Sequence, residues 1–406
     1  MRSSFAAGWV LPIAGAPIVG GCVTIEDGRV IRVSAERPAH AVDLGRRVLL
    51  PALVNAHTHL ELSYLRGRIG RAACFTEWVR PLLAARRETP DASTVSTAAA
   101  AAIAEARGSG TGLFGDVSNT LAAVPALRAS GLSAHVFHEL LGFTVADPEA
   151  RVADARARIA AAAAAAGGGD IRFSVAPHAP YSVAPALFDA IRHDASEHGA
   201  PTTVHLAESR EEVQLLADGS GPWRGLLETL GVWNQAWQPP GVSPVAYLRQ
   251  RGFLDASTVV VHGVQCTPGD IAQLRESGAT LVSCPRSNAY VGAGTPPLEA
   301  LFAAGVPVAF GTDSLASVDD LNLFSELAAA RRSAPGVSAP QLLDGATRTG
   351  ARALGFGGDY GTIEPGRRAA LISVRVPDGI VDVEEYLVSG IAPPDVAWLP
   401  TEAPSA

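Results

Sequence analysis

Short apolar strands alternate with helical stretches through the middle of this chain, and this alternation limits the fold more than any other feature. Eight runs have the length and composition of buried strands: residues 50–55, 112–116, 132–137, 171–176, 201–206, 258–262, 279–284 and 306–311. Strands separated by helices pair in parallel, and eight such units close into a barrel. The pattern therefore predicts an α/β fold with a (β/α)8 TIM barrel.

The two ends of the chain have a different texture. Residues 9–50 contain short strands separated by turns, with a hairpin pattern around Asp27-Gly28, and the segment after Gly361 returns to that texture. We predict a small β-sandwich domain built from residues 1–50 and 360–406, with the (β/α)8 barrel over residues 51–359.

Composition excludes several classes of function. A net charge of −8 without any run of positive charge disfavours binding to nucleic acid polymers. All 32 positively charged side chains are arginines, so the chain has no lysine at all. A Schiff-base lysine, a P-loop lysine and a lysine carbamate that bridges two metal ions are therefore excluded.

The cysteines and the hydropathy pattern indicate a cytoplasmic protein that does not enter a membrane. No apolar span reaches the roughly 18 residues that a transmembrane helix needs. The four cysteines form no CxxC pair, which argues against a zinc ribbon and favours reduced thiols. They are Cys22, Cys74, Cys266 and Cys284.

Metal-ligating residue types follow four of the predicted strands. His57 and His59 end the first apolar run two residues apart, so both imidazoles leave one face of the strand. His205, His262 and Asp313 end three later strands. Since the active sites of such barrels lie where the strands end, this pattern predicts a metal-dependent site there. Other polar residues at strand ends are Asp116, His138, His178 and Asn288.

Six segments carry a resemblance to a known family. They are Pro51–His59, Ala176–Tyr181, His205–Ser209, Val261–Gly263, Ser283–Asn288 and Gly311–Ser314. In this order and spacing the chain resembles the amidohydrolase superfamily, in the branch of nucleobase and nucleoside deaminases and chlorotriazine hydrolases. The resemblance covers almost the whole chain and implies the same barrel fold.

The resemblance implies a set of metal ligands and catalytic roles. One divalent ion would be bound by His57, His59, His205 and Asp313. Three neutral imidazoles and one carboxylate suit Zn²⁺ or Fe²⁺ and leave room for a water molecule. Because binuclear relatives use a carbamylated lysine, a chain without lysine is expected to hold one ion.

Two carboxylates and one histidine are implied as the catalytic residues. Asp313 takes the proton of the attacking water, Glu208 protonates a ring nitrogen of the substrate, and His262 orients the oxygen nucleophile. Glu208 has a structural alternative, because a carboxylate near a helix start is favoured by the helix dipole.

Five further residues are expected to line the substrate pocket. We expect His178 to make a substrate hydrogen bond, with packing beneath a proline turn as the alternative. Trp78 and Glu61 have alternatives as a core aromatic and a first-turn carboxylate, and Arg286 and Asn288 have the alternative of a structural loop pair. The full set is His178, Asn288, Arg286, Trp78 and Glu61. The Trp-rich segment 217–246 is interpreted as a loop excursion, either a small satellite core or a lid over an aromatic substrate.

The predicted function is hydrolytic deamination of an aminated heteroaromatic ring, with the adenine of a nucleoside-like small molecule as the expected substrate. Local motifs look closest to aminodeoxyfutalosine deaminases and S-adenosylhomocysteine deaminases. Hydrolysis of a cyclic amide, as in imidazolonepropionase-like relatives, and dechlorination of a triazine are the enzymatic alternatives. A non-catalytic assembly protein is the alternative from another class. Members of the family are often dimers, so the resemblance allows a homodimer.

Overall fold

The computed structural model describes residues 2–88, 90–164 and 168–400. The strands are β1 Arg2–Ala6, β2 Trp9–Val10, β3 Ile18–Val19, β4 Cys22–Glu26, β5 Arg29–Ser34, β6 Val42–Asp43, β7 Arg47–Pro51, β8 Leu53–Thr58, β9 Thr111–Ser118, β10 Ser133–Leu140, β11 Ile171–Pro177, β12 Thr202–Leu206, β13 Thr258–His262, β14 Thr280–Ser283, β15 Val308–Phe310, β16 Leu371–Arg375 and β17 Val396–Trp398.

The helices are α1 Phe75–Arg87, α2 Ala92–Gly108, α3 Val124–Ser130, α4 Pro148–Ala163, α5 Pro185–His198, α6 Arg210–Asp218, α7 Pro222–Thr229, α8 Pro244–Gln250, α9 Pro268–Ser277, α10 Pro285–Tyr290, α11 Leu298–Ala304, α12 Leu323–Ser333, α13 Ala339–Asp344, α14 Gly350–Ala353 and α15 Val383–Leu387. Short 3₁₀ helices cover Leu60–Leu65 and Pro393–Asp395, and a π-helical turn covers Gly345–Thr349.

Eight parallel strands, β8 to β15, form the barrel that the sequence predicts. They make two four-stranded arcs, β8-β9-β10-β11 and β12-β13-β14-β15. The His205 amide donates to the His178 carbonyl at 2.9 Å, beside the junction of β11 and β12, and the Thr312 amide donates to the His57 carbonyl at 3.1 Å, beside that of β15 and β8. Both seams therefore close next to predicted metal ligands, and the predicted barrel is confirmed.

The side-chain alternation of the strands separates two cores. Val259 and Val261 of β13 belong to a buried cluster that also contains Ala56 and Val282. Val260, between them, belongs to the larger cluster that holds the helices against the barrel. Successive residues of a strand point to opposite faces, so a near-continuous apolar run is what a barrel strand buried on both faces requires.

Two more sheets contain strands from the chain ends. One has the order β5-β4-β1-β6, and the other has the order β17-β16-β7-β2-β3, so it joins strands from both ends of the chain. The predicted hairpin is present: β4 and β5 pair antiparallel around Asp27 and Gly28, whose φ angles are 49° and 74°. Residues 1 and 401–406 of the predicted terminal domain lie outside the described residues.

A third group of apolar side chains, which we call the loop cluster, comes mainly from the loops and short helices that follow the barrel strands. Its buried members include Leu62, Ile69, Phe75, Trp78, Phe143, Tyr181, Trp223, Leu226, Val264, Val291 and Ala316. Because loops after the strands contribute to it, the loop cluster lies at the end of the barrel where the strands end.

The interpretation of residues 217–246 as a loop excursion is wrong in its secondary structure. The segment contains α7 and leads into α8. Trp223, Leu226 and Leu227 are buried, which is the spacing of one helix face, so α7 packs into the loop cluster. The aromatic ring of Trp233 stacks on Phe143 with centroids 5.5 Å apart. The segment thus forms the satellite core, and its use as a lid stays a prediction.

Two other expectations concern thiols and membranes. All four cysteines are free thiols, as the sequence predicts. Within the described part of the chain, no helix is long and apolar enough to cross a membrane.

Candidate metal centre

Four predicted ligands meet at the end of the barrel. His59 Nε2 and His205 Nε2 lie 3.3 Å apart. The Oδ1 atom of Asp313 lies 3.8 Å from His57 Nε2 and 3.6 Å from His59 Nε2. These side chains come from three different strand ends, so the closed barrel is what brings them together.

The chemistry of this donor set fits a divalent cation. His57 is 1% exposed, and neither of its ring nitrogens has a hydrogen-bond partner. Burial, reinforced by the neighbouring histidines, holds the pKa of His57 well below its usual 6.5, and burial does the same to the pKa of His205. Buried lone pairs of neutral imidazoles facing a carboxylate are costly unless a partner satisfies them. A divalent metal ion would satisfy these lone pairs, because it binds neutral imidazoles and carboxylates together.

Hydrogen bonds on the far side of the ligands fix their orientation. His205 Nδ1 lies 3.1 Å from the His178 carbonyl, to which it donates its proton, and 3.4 Å from Glu139 Oε1. That tautomer leaves Nε2 unprotonated toward His59. The Oδ1 atom of Asp313 accepts from the Ser314 amide at 2.8 Å.

A second group of ligand types lies beside the first but shares a member with it. Donor atoms of Glu139, His178 and His205 lie within 4.8 Å of one another. The proton on His205 Nδ1 points at a carbonyl oxygen, and a protonated ring nitrogen cannot bind a metal ion. His205 can therefore bind a metal ion through Nε2 but not through Nδ1.

Glu208 and His262 face each other next to these ligands. The Oε1 atom of Glu208 lies 3.6 Å from His262 Nε2, and both side chains are buried. Burial and, to a lesser degree, the nearby carboxylate of Asp313 raise the pKa of Glu208 well above 4.5. Burial lowers the pKa of His262, against the attraction of Asp313. Burial thus favours the uncharged form of both groups, the carboxylic acid of Glu208 and the neutral imidazole of His262.

The backbone is unusual at three positions of this centre. Ala207, His262 and Asp313 have positive φ angles of 52°, 76° and 60°. Non-glycine residues adopt this left-handed conformation rarely. Each of the three positions lies at or just after the end of a barrel strand, where the chain turns away from the barrel.

A sequence model of the amidohydrolase family matches residues 48–391. The chain belongs to this family. The family resemblance that the motifs predict is thereby confirmed, and with it a site for a divalent metal made of histidines and an aspartate.

Three known proteins illustrate what this amidohydrolase is similar to. A 5-methylthioadenosine/S-adenosylhomocysteine deaminase of Moorella thermoacetica is 31% identical, and the match covers 95% of this chain and 90% of that protein. An aminodeoxyfutalosine deaminase of Deinococcus radiodurans is 31% identical, with 84% and 83% covered. The crystal structure of an adenosine deaminase from Xanthomonas campestris with bound zinc has a TM-score of 0.81 and 28% identity, and covers 97% of this chain and 90% of that one.

Two of the predicted substrate contacts lie at the metal centre of this amidohydrolase. The ring centroid of His178 is 4.9 Å from that of His205, and its Nδ1 contacts Ser182 Oγ at 2.5 Å. Burial lowers the pKa of His178 to about 3, so its ring is neutral. Asn288 is buried, and its Oδ1 accepts a hydrogen bond from His262 Nδ1 at 2.8 Å.

The other three lie in networks of their own, and their predicted substrate contacts stay predictions. The carboxylate of Glu61 accepts hydrogen bonds from residues 118–120. Trp78 is 6% exposed within the loop cluster, with its ring 6.0 Å from that of Phe75. The guanidinium of Arg286 bonds to Glu326 and Asp320.

The sequence reasoning missed several residues that support the site. Ser287 and Ser317 donate hydrogen bonds to Asp313 Oδ2 at 2.5 and 3.2 Å. Both stand in or next to segments that carry the family resemblance, so their positions were a usable signal. Glu139 carried no such signal. Its neighbour His138, a polar residue of the predicted strand end, contacts the Ser118 carbonyl through Nδ1 at 3.1 Å instead.

Proposed function

We propose that this amidohydrolase removes ammonia hydrolytically from the adenine of a nucleoside-like metabolite, with one zinc or iron ion bound by His57, His59, His205 and Asp313. The observation that carries the proposal is the buried Glu208, whose pKa is raised while it lies 3.6 Å from His262 beside the ligand cluster. A carboxylic acid with a raised pKa holds its proton to a higher pH than an ordinary glutamic acid, and such a group can protonate a weakly basic ring nitrogen.

The relatives and the aromatic side chains near the site support an adenine nucleoside as the substrate. Both relatives at 31% identity are named as deaminases of adenine nucleosides or nucleoside-like compounds. The loop cluster at the same end of the barrel is rich in aromatic side chains, and Tyr181 stacks on Trp223 with centroids 4.0 Å apart. Tyr181 also packs edge-on against His178, with centroids 5.5 Å apart, so aromatic side chains lie beside the polar groups of the site, a combination that suits a flat heteroaromatic ligand.

The reaction needs a nucleophile, an acceptor for its proton and a donor to the ring. The divalent ion, when bound, supplies a water molecule acidified to a pKa of about 7 and hence nucleophilic at neutral pH. Asp313 accepts the proton of that water, while Ser287 and Ser317 hold the other oxygen of its carboxylate. His262 orients the attacking oxygen through Nε2.

Glu208 completes the proton balance. It protonates the ring nitrogen as the water oxygen bonds to the adjacent carbon, so the ring electrons move to nitrogen rather than to an unstable anion. The proton held by Asp313 then reaches the exocyclic amine, the carbon–nitrogen bond breaks, and ammonia leaves. As the carbonyl forms, the hydroxyl proton of the adduct returns to the Glu208 carboxylate and restores the acid. One water is consumed for each ammonia released.

A single metal ion is supported by two independent features. The chain has no lysine that could carry a bridging carbamate. The Nδ1 atom of His205, which would have to bind a second ion, faces a carbonyl oxygen at 3.1 Å. A metal analysis of the purified protein is expected to give about one ion per chain.

The proposal is tested by ammonia release, with metal content measured on the same preparation. The panel contains aminodeoxyfutalosine, S-adenosylhomocysteine, 5-methylthioadenosine, adenosine, guanine, cytosine and a chlorotriazine. Ammonia from an adenine nucleoside supports the proposal. Chloride release from the triazine alone, or no product from any amine with a fully metallated protein, overturns it in favour of dechlorination or ring-amide hydrolysis.

A further inference from the structure

One short helix contacts two of the proposed catalytic side chains. On α10, Ser287 Oγ donates to Asp313 Oδ2 at 2.5 Å, and the next residue, Asn288, accepts through Oδ1 from His262 Nδ1 at 2.8 Å. Both α10 residues are buried. Asp313 and His262 lie at or after the ends of different strands, β15 and β13, so α10 is what fixes them relative to each other.

Hydrogen bonds from Arg286, in the first turn of α10, hold this helix in place. The Arg286 amide and Nε both donate to the carboxylate of Glu326, at 3.0 and 2.7 Å, and Nη1 donates to Asp320 at 2.8 Å. Glu326 lies on α12 and is fully buried. An arginine that makes two hydrogen bonds to one buried carboxylate has a defined geometry, and losing one partner leaves a buried charge unpaired.

We propose that Arg286, Ser287 and Asn288 form a positioning unit for the deamination reaction: Arg286 anchors α10, Ser287 fixes the carboxylate of Asp313, and Asn288 fixes the tautomer of His262. The roles of Asp313 and His262 in this statement rest on the proposed function. The hydrogen bonds themselves do not.

Asn288 determines which nitrogen of His262 carries the proton. Its Oδ1 atom can only accept, so the proton of the neutral ring stays on Nδ1. The unprotonated Nε2 then faces Glu208 Oε1, 3.6 Å away, as an acceptor. In the other tautomer Nε2 would be a donor and could not accept a hydrogen bond from a protonated nucleophile or from Glu208.

Ser287 determines which carboxylate oxygen of Asp313 faces the ligands. Its hydroxyl and that of Ser317 both occupy Oδ2. The Oδ1 atom is therefore the one left facing His57 and His59. Without Ser287 the carboxylate keeps only the longer hydrogen bond from Ser317 on Oδ2 and the Ser314 amide on Oδ1, so the proton acceptor is held less firmly.

The same contacts give Arg286 a role other than substrate binding. Its Nη2 atom also donates to the Asp320 carbonyl at 2.9 Å, so every nitrogen of the guanidinium has a protein acceptor. Because Ser287 and Asn288 follow it directly, loosening Arg286 moves both contacts at once. Arg286 thus acts on the reaction through α10.

The first test measures kcat, KM and metal content for Ser287→Ala and Asn288→Ala. We expect kcat to fall about 10- to 100-fold, as is usual when residues that orient metal ligands or catalytic groups are removed, with little change in KM. The matched control is Tyr290→Phe, which removes a hydrogen bond from the same helix to the Ile69 carbonyl at 2.6 Å. Equal losses in all three variants would mean that only helix stability matters and would overturn the proposal.

The second test does not depend on activity. Nitrogen-15 spectra of histidine-labelled, metal-loaded protein distinguish the two imidazole tautomers, and the His262 signal is the one of ten histidines that is lost in His262→Gln. We expect the Nδ1-protonated form in the wild type and in Asn288→Asp, which keeps an acceptor, and a mixture in Asn288→Ala. An unchanged His262 signal in Asn288→Ala refutes the role of Asn288 whether or not the protein is a deaminase.

A double-mutant cycle tests the anchor. If Arg286 acts through α10, Arg286→Lys lowers kcat, and Asn288→Ala then lowers it by a smaller factor than it does alone. Independent, multiplicative effects of Arg286→Lys and Asn288→Ala would show that Arg286 acts elsewhere.

Discussion

Replacing Glu208 by glutamine tests the proposed proton donor most directly. The substitution keeps the size of the side chain and removes the acidic proton. None of the hydrogen bonds described here is made by the Glu208 carboxyl, and the residue is not among the proposed metal ligands. We therefore expect Glu208→Gln to bind metal and to fold like the wild type, with a change in unfolding free energy within about 1 kcal/mol.

The size of the effect follows from the surroundings of the carboxyl. General acid catalysis contributes about 10²- to 10⁴-fold, which is about 3 to 5 kcal/mol at 1.36 kcal/mol for each tenfold change in rate. Glu208 is 3% exposed, so bulk water has little access to replace it as the donor. We accordingly expect the upper half of that range, a loss of about 10³- to 10⁴-fold in kcat.

The pH dependence of kcat is a second test of Glu208 as the proton donor. Burial raises the pKa of Glu208, so the acid is present at low pH and is lost as the pH rises through that raised value. Activity of the wild type should fall on the alkaline side for this reason, and that fall should be missing from the residual activity of Glu208→Gln.

Glu211→Gln is the matched control. It removes a carboxylate three residues further along, on the first turn of α6, which contacts Thr76 Oγ1 at 3.4 Å rather than the metal centre. Initial rates of ammonia release and metal content are measured for both variants. A Glu208→Gln protein that keeps more than a tenth of the wild-type kcat would refute the role of Glu208 as the acid.

Three further predictions concern stability and metal binding. A Cβ added at Gly311 would lie 2.6 to 2.8 Å from backbone and Cβ atoms of His57, so Gly311→Ala should lower the unfolding free energy by about 1 to 3 kcal/mol and weaken metal binding. The control is Gly358→Ala, where a Cβ meets open space and neither effect is expected. Equal effects of the two substitutions would contradict the prediction. Burial raises the pKa of Glu212 to about 8, so between pH 4.5 and 8 the folded protein keeps a proton that the unfolded chain releases. The part of the unfolding free energy that this proton contributes, taken as the difference between the wild type and Glu212→Gln in urea titrations, should fall as the pH rises, by up to about 1.4 kcal/mol per pH unit. A chelator should lower Tm of the wild type, since an ion that binds only the folded state stabilises it, but should leave His57→Asn unaffected.

The meeting of metal-ligating residue types at one end of the barrel could be predicted from strand periodicity and barrel closure, whereas the choice of ligands among them rested on the family resemblance. His57 and His59 are two residues apart at a strand end, so they leave the same face whatever the rest of the chain does. His205 and Asp313 follow apolar runs whose ends the hydrophobic pattern marks well. Closure of a parallel barrel then brings these positions together without further information about the loops.

Side-chain partners in the loops could not be predicted in this way. Arg286 lies in a segment typical of the family, but its direction depends on Glu326, which is 40 residues away and on another helix. Glu139 and His138 differ by one position on β10, and in a strand that difference reverses the face. The tryptophans of segment 217–246 indicate burial, but only the tertiary contacts of α7 show what covers them.

Backbone strain is the least predictable part of the site, and it explains why a second layer of polar residues is needed. Left-handed φ angles at non-glycine residues cost about 1 to 3 kcal/mol each, and Ala207 has no side-chain polar group that favours this conformation. The carboxyl of Glu212 accepts from the amides of Ala207 and Glu208, at 3.1 and 2.8 Å, and so holds this turn in place. The Asp313 amide is held in the same way by the His57 carbonyl at 3.1 Å. The convergence of the catalytic side chains therefore depends on hydrogen bonds that offset the backbone strain. For this reason we expect buried residues that touch no substrate, such as Glu212, to matter for activity.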